Sequence, residues 1–135
     1  MSQLPGDLDQ LLNERVHSYE ELDVLLLLQR VHSQCWTSEG VAGELKISED
    51  SAASALERLQ AKGLLGSGPR AGSFRYQPSS PDLDAAVMNL ARLHSEKRFA
   101  IVESMSRHAL ERMRHSVRNA LVAGFRQPEP KKDRR

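Results

Sequence analysis

Six side chains between positions 46 and 75 bring hydroxyl and cationic groups close together in sequence: Lys46, Ser51, Ser54, Arg58, Arg70 and Arg75. A serine hydroxyl can hydrogen-bond a phosphate oxygen or a base edge, and Lys and Arg neutralise phosphate. The chemistry open to this set is therefore recognition of a polyanion. Its immediate neighbours argue the other way. Glu49 and Asp50 share the interval, with Ala53 between the serines. Arg on guanine and Asn or Gln on adenine are the usual base readers, and none of these stands at 49, 50, 51, 53 or 54. Two acids in a helix's first turn also have a plain structural role, because they favour the helix dipole.

No other set of residues composes a reactive centre. His17, His32, His94, His108 and His115 show no His-x-x-x-His spacing, and one cysteine excludes a structural zinc signature and an internal disulfide. Gly66, Gly68 and Gly72 do not form a dinucleotide fingerprint, and no phosphate-binding Gly-Lys-Ser/Thr loop occurs. No metal, cofactor or catalytic activity is expected. Cys35 suits a reducing cytoplasm. With only Arg30 and His32 as nearby cations it reads as a buried core thiol rather than a redox sensor.

The elements that must position the six residues are legible from spacing. Leu8, Leu11, Leu12 and Val16 predict a short amphipathic helix over 7–16, within an N-terminal arm of residues 1–17. Ser18 with Glu21 has the form of a capping box, opening a strongly apolar helix through Leu22, Leu25 and Leu26. Thr37 caps a helix over 38–45. Trp36 is placed to staple against Val41, and Gly40 and Gly43 read as points of close packing. Ser48 caps the next helix, whose buried stripe is Ala52, Ala55, Leu56 and Leu59. Gly63 suits a left-handed C-cap. Leu64-Leu65, a glycine-rich loop and Ser73–Tyr76 then read as a β-hairpin. Helix, turn, helix and hairpin over residues 18–78 make a winged helix-turn-helix, within a mainly α chain.

Ser80-Pro81 opens a proline- and glycine-free stretch that runs to Ala123. Leu83, Val87, Leu90, Ile101, Met105, Met113, Val117 and Leu121 recur there at helical steps. They predict one long helix, or two with a break at His94–Arg98 or Ser104–Arg107. The stripe is longer than a small domain needs to cover itself, so residues 79–125 are assigned to homodimerisation. Residues 126–135 read as a disordered basic tail. The net charge of +1 divides unevenly. Residues 1–65 carry 5 Lys/Arg against 11 Asp/Glu, and residues 66–135 carry 14 against 7. Such asymmetry fits self-association or a polyanionic partner. No apolar run approaches the roughly 20 residues of a membrane helix, and no secretion signal opens the chain.

The order of elements resembles that of MarR-like bacterial transcriptional regulators. Leu45, Ile47-Ser48, Leu56, Leu59 and Lys62-Gly63-Leu64 match that family's helix-turn-helix segment without a gap. The Glu96-Lys97-Arg98 cluster, Ile101-Val102 and Ala123–Arg126 are similar to small proteins of the same type. The resemblance implies a cytoplasmic homodimer that binds double-stranded DNA and regulates transcription. Ser51, Ser54 and Arg58 would approach the major groove, with Lys46, Arg70 and Arg75 on the backbone or minor groove. Residues 18–78 carry six Lys/Arg against eight Asp/Glu. That balance keeps open the alternative of a winged-helix protein-interaction module that does not bind DNA.

Overall fold

The computed structural model describes residues 4–126, with side chains through Val122. Among these residues the chain forms six helices and one small antiparallel sheet. The helices are α1 (Gly6–Glu14), α2 (Tyr19–Arg30), α3 (Ser38–Leu45), α4 (Glu49–Ala61), α5 (Pro81–His94) and α6 (Arg98–Arg126). The strands are β1 (Trp36–Thr37), β2 (Leu65–Ser67) and β3 (Ser73–Tyr76), in the order β1-β3-β2.

Local chemistry explains most helix starts. The hydroxyls of Ser18, Thr37, Ser48 and Ser80 each accept the backbone N–H three residues on, at 3.0–3.2 Å. Each replaces a partner that the first turn of a helix lacks. At Ser18 only this half of the capping box forms. The Glu21 carboxylate accepts the N–H of His17 at 3.0 Å. Gly63 adopts φ +82°, closing α4 with the left-handed geometry that glycine takes without strain.

The core is built on α2. Leu25 and Leu28 are wholly buried with Leu8 and Leu12 of α1, Leu56 and Leu59 of α4, Leu90 of α5 and Ile101 of α6. Three features differ from the sequence reading, and one open choice is decided. Trp36 lies in a strand, opposite Phe74, which adds a third strand to the expected hairpin. The second strand begins at Leu65, because the Leu64 N–H is still bonded to Leu59 O. A side chain at Gly40 would meet the Trp36 ring, whereas Gly43 faces open space and marks no close packing. The chain between α5 and α6 breaks at Ser95–Lys97, while Ser104–Arg107 runs through α6 without interruption. The expected tail falls outside the described residues, except Arg126, which ends α6.

Candidate nucleic-acid interface

Lys46 closes α3 in the left-handed region, φ 59° and ψ 45°, with its N–H on Ala42 O. That residue reverses the chain so that Ser48 can open α4 two positions later. Lys46 is exposed. The first two turns of α4 present Ser51 and Ser54, both half-buried, while Ala52, Ala55, Leu56 and Leu59 hold the opposite face in the core.

Ser51, Ser54 and Arg58 line one shallow groove of about 220 Å³ with Ser18, Glu20, Glu21 and Asp50. The groove belongs to α2 as much as to α4. Its deepest member is Glu21, which is buried and lies 3.5 Å from Arg58 Nη1. Arg58 itself is 67% exposed, so solvent screens this contact strongly. Glu21 was not anticipated as part of the site. It sits one turn before Leu25 and two before Leu28, on the buried face of α2. That position was the available signal that its carboxylate needs a partner from another element.

Lys46, Arg70 and Arg75 lie outside the groove. Arg70 is exposed at the hairpin turn, where Ser73 Oγ donates to its carbonyl at 2.7 Å. Gly72, at φ +79°, lets the chain reverse there. Arg75 is exposed on β3 and donates through Nε to Gln77 Oε1 at 3.2 Å. Gln60 Nε2 donates to Ser67 Oγ at 2.9 Å, tying the end of α4 to the hairpin. The six residues therefore form a central triad in an acid-lined groove and three outlying cations.

The eight residues assigned to dimerisation also divide. Val87, Leu90, Ile101 and Met105 are buried in the chain's own core, and Leu83 packs against it. Those five are occupied within one chain. Met113, Val117 and Leu121 are 62%, 54% and 58% exposed. Leu110, absent from the sequence-based set, is half-exposed beside them.

A polar junction fixes the root of α6. Asp9 Oδ1 accepts from Ser104 Oγ at 2.6 Å and Arg107 Nη2 at 3.1 Å, and lies 3.3 Å from His108 Nε2. The Ser104 hydrogen bond, with His108 and Arg107, holds the Asp9 carboxyl below its ordinary range despite opposing desolvation. Lys62 Nζ donates to Glu14 O and Arg112 Nη1 to Asn13 O, so cations from α4 and α6 meet the carbonyl end of α1. Burial, then Lys62 and Arg112, pushes the nearby His17 imidazole below its usual pKa.

Scanned against protein-family models, curated proteins and solved structures, the chain matches none. Cys35 is exposed, contrary to the expectation of a core thiol, because the turn that carries it runs over the surface between α2 and β1. Among the described residues no group of three His, Cys, Asp or Glu side chains could hold a metal ion. No helix among them is long and apolar enough to cross a membrane.

Proposed function

We propose that this chain is a winged-helix transcriptional regulator of MarR-like type that binds duplex DNA as a homodimer. The observation that carries the reading is the arrangement of α3, the Lys46 turn, α4 and the β2–β3 hairpin. It leaves Ser51 and Ser54 accessible on α4's first two turns, with exposed cations at the turn and on the hairpin. Lys46, Arg70 and Arg75 would take phosphates and set the register, while the serines approach base edges or backbone. Arg58 would contribute by turning from Glu21 toward the duplex, a movement its exposure and long contact permit. A dimer doubles the cations and presents two α4 helices to successive grooves.

Fluorescence anisotropy with labelled duplexes from the chain's own upstream region tests this, at low and moderate salt. Binding that exceeds scrambled DNA and weakens with salt supports the reading. No binding at low salt removes it.

One observation favours a second reading. Glu20, Glu21 and Asp50 surround the serines and the one groove arginine, a poor electrostatic setting for phosphate. A winged-helix module that docks a protein instead of DNA would use the same groove for a basic side chain. Failure of all duplexes, with retained binding of an arginine-rich peptide that Asp50→Asn weakens, would select it.

A further inference from the structure

α6 is 29 residues long, about 43 Å at the usual helical rise. Its root is held in the body through Ile101, Ser104, Met105 and His108, and every residue from Met113 to Val122 is exposed. Most helical stability in proteins comes from packing an amphipathic face, and the stretch from Met113 to Val122 finds no such packing among the described residues of its own chain. Leu110, Met113, Val117 and Leu121 follow one another at steps of three, four and four, so they form a single apolar stripe along the projecting part. Tyr19 extends the stripe toward the body, half-exposed and hydrogen-bonded through its hydroxyl to Ser106 at 2.9 Å.

We propose that this stripe is covered by the same stripe of a second copy, with the two α6 helices antiparallel and Leu110 beside Leu121 of the other copy. The proposal rests on the homodimer reading above and assigns its register. Antiparallel pairing about a two-fold axis sets Met113 against Val117 of the second copy, and each pair recurs by symmetry. The flanking charges select this direction. Glu111, Arg114 and Arg118 run along one edge of the stripe, while Ala109, Ser116 and Ala120 run along the other. In the antiparallel arrangement the two charged edges lie on the same side, and Glu111 comes level with Arg118 of the second copy. The two Arg114 side chains meet near the axis, a like-charge contact outweighed by the two symmetry-related Glu111–Arg118 pairs. In a parallel arrangement each charged edge would face the small, uncharged edge, and no such pair forms. Among the described residues Arg118 has no ion-pair partner within its own chain, so it is free to make this one. The small edge lets the backbones approach closely.

Thiol mapping tests the register in full-length protein carrying Cys35→Ser. Leu110→Cys and Leu121→Cys proteins are mixed under mild oxidation. The expected result is a disulfide between the two different variants, with little bridging within either alone. Bridging of the Leu110→Cys protein with itself would mean a parallel pair and overturn the proposal. Light scattering on the unsubstituted chain separates the two levels. A monomer mass overturns the homodimer reading itself, whereas a dimer mass without the 110–121 bridge overturns only the register. Glu111→Arg or Arg118→Glu alone should weaken the dimer about tenfold, and the two together should restore it. Equal weakening in the double variant would also overturn the register.

Discussion

α4 and α6 are both amphipathic, and they spend their apolar faces differently. The stripe of α4 is consumed within the chain, since Ala52, Ala55, Leu56 and Leu59 are all buried. What α4 leaves outside is mainly polar, with Glu49, Asp50, Ser51, Ser54, Glu57 and Arg58 beside the small Ala53 and Ala61. The stripe of α6 is consumed only as far as Met105 and continues unburied through Leu121. A helix that exposes polar groups and buries its apolar ones is suited to a hydrated ligand. A helix that keeps an apolar stripe in water is suited to another protein surface. On the proposed reading the two helices divide recognition from association. The arm α1 meets the residue that follows α4, through Lys62, and the middle of α6, through Ser104 and Arg112.

Five substitutions bear on that contrast, beginning with the largest effect. Leu56→Ala should destabilise the fold by about 2–5 kcal/mol in chemical denaturation, because it opens a cavity in the α4 stripe. On the homodimer proposal, Val117→Ala should leave monomer stability nearly unchanged and shift the mass toward the monomer. An equal loss of stability in both variants would erase the distinction between the helices. Asp9→Ala should cost about 1–3 kcal/mol, since Ser104, Arg107 and His108 all lose the same acceptor. Thermal melts unchanged by this substitution would show that the Asp9 junction does not hold α6 to α1.

Acid should act on the same junction. Both Asp9 and His17 have folded pKa values below their ordinary ones. Stability from such groups is fully present above the unfolded pKa and is lost as pH falls through the folded one. The His17 contribution should therefore decline below the ordinary histidine value of 6.5, and the Asp9 contribution only below 3.8. Melts at stepped pH should show two separate declines, with His17→Gln removing the upper one. The smallest effect is expected on the hairpin. On the DNA-binding proposal, Arg75→Ala should weaken all duplexes alike, by a few fold, and lower the salt slope by about one. A change in sequence preference instead would move Arg75 from backbone anchoring to base reading.

Much of the local structure was readable in the residues. Four capping hydroxyls, Gly63 and Ser80-Pro81 act through bonds or dihedrals within a few positions, so spacing alone reveals them. β1 was not readable. Two residues carry no periodicity, and Trp36–Thr37 is a strand only because Ser73 and Phe74 arrive beside it. The surface position of Cys35 was equally hidden, because exposure belongs to the path of the turn and not to the thiol. In the candidate site, Ser51, Ser54 and Arg58 were found from their positions on one helix. Glu21 was not, since it joins them across 37 residues of sequence.

The sequence by itself determined where most helices begin, which faces are apolar, and that charge is unevenly divided along the chain. Those properties depend on neighbours three or four residues away. Tertiary structure alone decided how the long apolar stripe after Ser80 is shared. Helical periodicity identifies a face that must leave water but does not say against what. Packing against α1 and α2 takes the stripe as far as Met105, and past Arg112 the body is too short to reach it.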